Sequence, residues 1–345
     1  MGGLERALAA FDLAAPQVDR IPIGLLHQSF AVRDGAVEYV LQRVNPVFEP
    51  GIHENIRAVT ERLKERGLDT LELVPTRAGA LVADLGEDGL WRLMTRLPGV
   101  VFARCTSASQ AASAGALVAR FHGALDRLKH GFRPLGIVLH DTSVHLRALE
   151  EALTEERDHR LVGDVAPVGR AILDAARALP EPAEDLPLRV VHGDLKFDNV
   201  LFAGESGPDA ERATALIDLD TMCRLPLWAE LGDAWRSWCN RAGEDVAEAA
   251  YEQAFFRSAA GAYLEAGGLA LTDAERASLL DGLERICLEL ASRFCADALR
   301  ESYFGWDPER FAGHGEHNLV RARGQLDLHR QVREARAERA RVLGL

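Results

Sequence analysis

Cysteine, basic charge and long apolar runs are all scarce in this chain. There are five cysteines, Cys105, Cys223, Cys239, Cys287 and Cys295. The number is odd and none belongs to a Cys-x-x-Cys pair, which argues against a disulfide framework or a structural zinc site and fits a reducing cytoplasm. Lys and Arg total 40 against 53 Asp and Glu, a formal net charge of −13. That acidic balance argues against non-specific nucleic-acid binding. No apolar run approaches the length of a membrane span. Residues Met1 to Leu13 include Glu5, Arg6 and Asp12 and lack an apolar core, so no signal peptide is expected. Internal repeats and low-complexity segments are absent as well.

What is present is an ordinary globular composition, 48% hydrophobic and 27% charged over 345 residues. A chain of this size buries a large core and is expected to form two lobes. The most informative stretch is Val190-Val191-His192-Gly193-Asp194-Leu195-Lys196-Phe197-Asp198-Asn199-Val200-Leu201-Phe202. It reads as an apolar strand, a polar loop and a second apolar strand. Asn199 follows Asp194 by five residues, and a third apolar run ends in Asp218, nineteen residues beyond Asn199. This is the layout of a protein-kinase-like phosphotransferase site. Asp194 is placed to receive the proton of an acceptor hydroxyl. Asn199 and Asp218 are hard oxygen ligands suited to magnesium. Lys196 reaches the transferring phosphate, and His192 stiffens the loop.

The remaining chain fits around that loop. A short helix is expected over 4–13. Strand patterns flank the loop Gly24 to Ser29, where a nucleotide loop belongs, although it has one glycine where protein kinases have three. The candidates there are Gly24, His27 and Ser29. The next strand, Tyr39 to Val44, should supply a cation for the nucleotide phosphates. Gln42 and Arg43 are neighbours and face opposite ways, so only one points into the cleft. Arg43 is the choice because it carries the charge. A helix over 52–66, closed by Gly67, brings Glu54 as a partner for Arg43, with Asn55 the competing residue. Strand patterns run to Leu97, and Met94 to Leu97 would be the hinge against an adenine. Pro98-Gly99 then breaks the pattern, giving an N-lobe over 1–97 and a C-lobe over 98–345. Helical periodicity is expected over 109–128, 142–153, 165–179, 227–240, 246–266, 273–300 and 317–342.

The chain resembles the aminoglycoside phosphotransferase and choline kinase family. His192-Gly193-Asp194 through Asn199, together with Ile217-Asp218-Leu219-Asp220, resemble its two signature motifs. Glu230-Leu231-Gly232-Asp233-Ala234 is similar to the acidic segment that follows them. The resemblance implies an α+β, protein-kinase-like bilobal fold with a small antiparallel-sheet N-lobe and a larger, mostly helical C-lobe. It also implies ATP and Mg2+ as cofactors and Asp233 as a brace for the catalytic loop.

Within that family the chain is most similar to N-acetylhexosamine 1-kinase-like sugar kinases. The segments carrying this are Tyr39 to Asn45 with Val47-Phe48, Asn55-Ile56, Trp91 to Met94, Leu139 to Thr142, Arg293-Phe294 with Asp297, Tyr303-Phe304, and His317 to Leu326. The chain departs from the sugar-kinase pattern at His27, Gln28, Gly193 and Asp198. The implied acceptor is the anomeric hydroxyl of a hexose or N-acetylhexosamine, with Arg293, Tyr303 and Asp220 at the acceptor pocket. An aminoglycoside or amino-alcohol kinase of the same fold is the alternative, as is a catalytically inactive nucleotide-binding regulator. Neither a nucleic-acid nor a membrane partner is expected, and the chain would act as a monomer or homodimer.

Overall fold

The computed structural model describes residues 2–21 and 27–345. The N-terminal part is built on one antiparallel sheet. Helix α1 (Gly3–Ala9) precedes β1 (Gln17–Ile21), β2 (Gln28–Asp34) and β3 (Val37–Arg43). Helix α2 (Ile52–Glu65) and the short strands β4 (Leu73–Val74) and β5 (Ala83–Asp84) lead to β6 (Leu90–Thr95). The strand order is β1-β2-β3-β6-β4, and β5 also pairs with β6, on the edge away from β3 that it shares with β4. Alternation along the strands decides what each face meets. Leu41, Trp91 and Leu93 pack with Ala7 of α1 and Phe11 just beyond it on one face. Val40 and Met94 meet α2 residues Ile56, Val59 and Leu63 on the other.

Pro98-Gly99 marks a change of sheet. Strand β7 (Val100–Val101) joins a second sheet with β9 (Val200–Phe202) and β10 (Ala213–Leu216). Gly99 has φ +133°, and a Cβ there would collide with the Phe202 carbonyl, so the crossing requires glycine. Helices α3 (Ala108–Leu125), α4 (Thr142–Glu155) and α5 (Val162–Arg177) come next. Strand β8 (Leu188–Val191) enters the site and pairs antiparallel with β11 (Cys223–Pro226). The C-terminal part is α6 (Leu227–Trp238), α7 (Gln253–Ala266), α8 (Asp273–Arg300), α9 (His314–Glu334) and α10 (Arg336–Leu343). A small antiparallel sheet followed by a larger helical part is the fold class expected.

Helix α8 is the axis of the C-terminal part. Its start is fixed by a capping box of Thr272 and Glu275. Glu275 also receives Arg189 of β8 at 2.8 Å, tying the helix start to the strand that enters the site. Two expectations need correction. The helix expected over 246–266 begins only at Gln253. Residues before it form a loop held by the Asn240–Tyr251 bridge and by Asp327, which accepts from the Ala249 N–H. The helix expected over 317–342 is two helices that meet at Ala335. The buried Arg339 donates to the carbonyls of Val332 and Leu280 there, so a polar anchor sits where periodicity suggested one continuous apolar stripe.

Helices α3 and α7 cross closely because Gly115 has no side chain; a Cβ there would overlap the Ala259 carbonyl. Gly115→Leu should destabilise the fold by about 3 kcal/mol through overpacking. Calorimetry should show a melting point lower by roughly 5 °C or more.

Candidate active site

Strand β8 ends in a loop in which nearly every polar backbone group is tied down. Glu230 of α6 is fully buried, 0% exposed, and accepts the backbone N–H of His192 at 2.8 Å and of Gly193 at 2.9 Å. Burial alone would raise its pKa, but hydrogen bonding from His122 and the backbone donors hold it low. His192 lies 2.8 Å from the Ile217 carbonyl through Nε2 and accepts the Asp194 N–H at Nδ1, so it braces the loop. Thr221 donates to the His192 carbonyl, and Trp238 donates to the Leu195 carbonyl. Gly193 has φ +84°, and a Cβ there would lie 2.6 Å from the Thr221 carbonyl. Its presence is a backbone requirement of this packing.

Within this frame Asp194 stands about one-third exposed (35%), with Lys196 Nζ 3.4 Å from its carboxylate. Burial pushes the Asp194 pKa up, but the Lys196 charge and then His192 outweigh it, so the group is held ionised. Lys196 is raised by Asp194, Asp198 and Asp218 against its own desolvation. Asn199 donates Nδ2 to the Asp194 carbonyl and carboxylate, which leaves its Oδ1 without a protein partner among the described residues. Asp218 sits at the end of β10 in the left-handed region, φ +63°. Its carboxylate makes no hydrogen bond or ion pair among the described residues, and burial followed by Asp220 and Asp194 raises its pKa. A free amide oxygen and an unneutralised carboxylate fit a hard divalent cation.

The N-terminal sheet presents a polar relay to this loop. Ser29, Gln42 and Arg92 lie directly opposite one another on β2, β3 and β6. Gln42 donates to Ser29 Oγ at 3.0 Å, and its Oε1 accepts from Arg92 at 2.9 and 2.7 Å. Arg92 then binds both oxygens of Asp220, each partner only 2% exposed. His27 closes the group, its Nε2 2.6 Å from Asp220. Asn45 donates its N–H to His27 Nδ1, so the imidazole proton is on Nε2 and points at Asp220. One atom each of His27, Asp218 and Asp220 lie within 4.8 Å of one another. That tautomer, and the commitment of Asp220 to Arg92, leave Asp218 alone of the three able to take a metal.

These positions revise several expectations. Arg43 is on the α1 face of the sheet, with Nη2 3.5 Å from the Glu87 carbonyl, and does not face the loop. Glu54 pairs with Arg133 at 2.7 Å and not with Arg43. Asn55 holds the Arg133 backbone. Asp220, expected at the acceptor, is occupied by Arg92 and His27. Asp233 pairs with Arg236, and the loop brace is Glu230, one helical turn earlier. Gly24 lies outside the described residues. Met94 is buried in β6, and neither the N–H nor the carbonyl of Leu97 has a hydrogen-bond partner among the described residues. Arg92, Glu230 and His140 were not singled out from the sequence. The signals were an arginine opposite Gln42 in a paired strand, and a histidine in Leu139 to Thr142.

On the far side of the loop, α8 carries Glu289 and Arg293 one turn apart. His140 has φ +49° and lies between Glu289, 3.1 Å from Nδ1, and the Gly193 carbonyl, 3.1 Å from Nε2. Both ring nitrogens face acceptors, so the ring is an imidazolium. Burial opposes this, but Glu289 prevails and raises the pKa from 6.5 to about 9. Thr142 donates to the other Glu289 oxygen. Arg293 lies over the rings of Tyr303 and Phe304, at 5.6 and 5.3 Å, so the structure brings Arg293 and Tyr303 together. Asp297 shapes that turn by accepting the N–H groups of Ser302, Tyr303 and Phe304.

A profile described as the phosphotransferase enzyme family matches residues 17–268. Among solved structures the chain is similar to a microcompartment-associated aminopropanol kinase, at 16% identity and TM-score 0.65 over 96% of this chain and 97% of that one. It is similar to the amicoumacin kinase hAmiN, solved with AMP-PNP, Ca2+ and Ami, at 14% identity and TM-score 0.60 over 94% and 92%. An ethanolamine kinase of Plasmodium vivax matches at 12% identity and TM-score 0.52 over 89% and 82%. At these identities the structural matches establish the fold.

The His140–Glu289 pair has a pH signature. A histidine raised from 6.5 to about 9 on folding adds stability that is complete below pH 6.5, fades as pH rises through the interval and is gone above about 9. The contribution is on the order of 3 kcal/mol. The stability gap between wild type and His140→Gln, read by denaturant titration, should be widest at pH 6 and close by pH 9.5. A constant gap would assign the difference to packing alone.

Proposed function

The chain belongs to the phosphotransferase enzyme family, and on that premise we propose that it is an ATP- and magnesium-dependent kinase of a neutral sugar, acting on the anomeric hydroxyl of a hexose or N-acetylhexosamine. The observation that carries the phosphotransfer is the ionised, partly exposed Asp194 beside Lys196, with the unengaged Asn199 Oδ1 and Asp218 carboxylate behind it. Asp194 accepts the proton of the acceptor hydroxyl as its oxygen attacks the γ-phosphorus. Lys196 offsets the charge on the phosphoryl oxygens in flight. Asn199 and Asp218 are the residues that would hold Mg2+, which neutralises phosphate charge and orients the leaving group. The free backbone edge at Leu97 suits an adenine. These parts position and neutralise; no covalent intermediate is needed.

The acceptor class rests on charge. The acceptor side presents Arg293 as a donor beside the ring of Tyr303, and the His140 imidazolium, its two N–H groups committed to Glu289 and the Gly193 carbonyl, adds positive charge behind it. The buried carboxylate there, Glu289, is already satisfied by His140 and Thr142. Donors and an aromatic face suit the hydroxyl and carbonyl oxygens of a sugar. A polycationic aminoglycoside would need free carboxylates and would meet like charge. Amino-alcohol and aminoglycoside acceptors are therefore the rival class, and the similar aminopropanol and ethanolamine kinases favour its first member.

Three measurements test this reading. Asp194→Asn should lower kcat by roughly a hundred- to ten-thousand-fold, with nucleotide affinity almost unchanged. Turnover within threefold of wild type would remove Asp194 from its role. A panel of sugars, amino sugars, aminoglycosides and amino alcohols, read by ADP release, should give turnover with neutral sugars and an acid-labile product. Arg293→Ala should raise the acceptor KM about tenfold or more with the KM for ATP unmoved. Turnover with amino alcohols or aminoglycosides alone would replace the sugar by that class.

A further inference from the structure

The cleft-facing position of β3, where a protein kinase carries its phosphate-binding lysine, holds Gln42. We propose that Arg92 of β6 has taken over as the cation for the nucleotide phosphates, anchored by Asp220 in place of a helix glutamate. The inference rests on the ATP-kinase reading of the same site.

Four observations lead to it. Arg92 stands directly opposite Gln42 in the β3–β6 register, so its side chain shares the cleft face while Arg43 is turned away. Gln42 is no substitute cation but an orienting group: its Oε1 accepts from Arg92 Nε and Nη2 and fixes the plane of the guanidinium. The anchor, Asp220, belongs to the same short turn as Asp218, and carboxylate atoms of the two lie within 4.8 Å of each other. The guanidinium is therefore one carboxylate away from the residue that would carry the metal. Finally, α2 offers Arg92 no competing carboxylate. Glu54 is paired outside with Arg133, and the α2 side chain acting on this cluster is His53, buried, neutral and pushed to about 4 by desolvation and then by Arg92. His53 donates Nδ1 to the Pro50 carbonyl, and its Nε2 lone pair has no partner among the described residues.

An arginine has five N–H donors in a planar fork. Gln42 and Asp220 take four through contacts to Nε, Nη1 and Nη2. Among the described residues one Nη1 hydrogen is left for a phosphate oxygen, and the charge, shared with Asp220 in a buried pair, lies one contact from the metal-bearing turn. The relocation also changes what the cation is tied to. A helix glutamate would couple it to the N-terminal part alone, whereas Asp220 couples it to the metal-bearing turn. Phosphate contact and metal loop are thus set by one ion pair.

The test is nucleotide affinity without acceptor, by titration of AMP-PNP with and without magnesium, on wild type, Arg92→Lys, Arg92→Gln and the double variant Gln42→Lys/Arg92→Gln. Arg92→Gln should weaken binding about ten- to a hundredfold, the effect of one charge-assisted contact. Arg92→Lys should lose less, about three- to tenfold. Returning the charge to β3 in the double variant should recover most of the loss. Folded Arg92→Lys and Arg92→Gln proteins that bind AMP-PNP within twofold of wild type overturn the proposal, as does a fall in melting temperature with no change in affinity. If Arg92→Gln does not fold, Arg92→Lys and the double variant decide by the same criteria. Wild type that binds no adenine nucleotide overturns the kinase reading and this proposal together. Wild type that binds while the variants stay unchanged overturns this proposal alone.

Discussion

The Glu230 carboxylate is the contact on which the geometry of the site depends. A charge with no solvent exposure is costly unless several donors satisfy it. Glu230 has three: the backbone N–H groups of His192 and Gly193, and His122 Nε2 at 3.1 Å. His122 is in turn 3.0 Å from the Tyr263 hydroxyl, so the chain of contacts runs from α7 through α3 to the end of β8. Helix α6, which carries Glu230, packs along α8, which carries Glu289 and Arg293. Loop, brace and acceptor side therefore share one rigid scaffold. Removing the carboxylate would orphan two backbone donors at the residues that aim Asp194, which is why a helix residue far from any reacting atom governs the loop.

Charge balance explains the rest of the site. Asp194, Asp218 and Asp220 approach one another closely enough to perturb each other, with Asp198 beside them. Two permanent cations, Lys196 and Arg92, are set against them. Of Asp194, Asp218 and Asp220, the group left over is Asp218, whose pKa is raised and whose oxygens have no partner among the described residues. A divalent cation there would relieve the same repulsion that raises its pKa. The opposite side of the loop is arranged differently. Glu289 holds His140 protonated, so the Gly193 carbonyl meets a cation on one side while the Gly193 N–H meets an anion on the other. One residue of loop is thereby fixed from both ends of its peptide dipole.

Much of this was legible in the sequence, and the part that was not has a common cause. Apolar runs around a polar loop located Asp194, Lys196, Asn199 and Asp218, because strand-loop-strand spacing constrains which residues reach the loop. Helix α8 spans the 273–300 that its long helical period predicts, and the structure adds a capping box that fixes its start. The loop before Gln253 was misread as helix because Val246-Ala247-Glu248-Ala249-Ala250 is rich in helix formers, whereas side chains from α9 and the Asn240–Tyr251 bridge hold it open. Arg43 has the charge but not the facing: alternation turns one of two neighbours into the cleft, and the charged one lies on the α1 face.

The same cause separates Asp233 from Glu230 and Arg43 from Arg92. A motif locates a segment, but the contact is made by whichever side chain the packing turns inward. On a helix that is decided modulo one turn, and Glu230 and Asp233 are three residues apart. On a sheet it is decided across strands as much as along them. Opposite residues of an antiparallel pair have Cβ atoms about 5 Å apart, well within the reach of an arginine. A charge can therefore move from one strand to its partner without leaving the cleft, provided that the position it vacates keeps a group able to orient it. Gln42 is such a group: its amide donates to Ser29 and accepts from Arg92, so it passes orientation along the sheet while carrying no charge itself. Reading strands singly finds a vacant position on β3; reading them in register finds the cation one strand away.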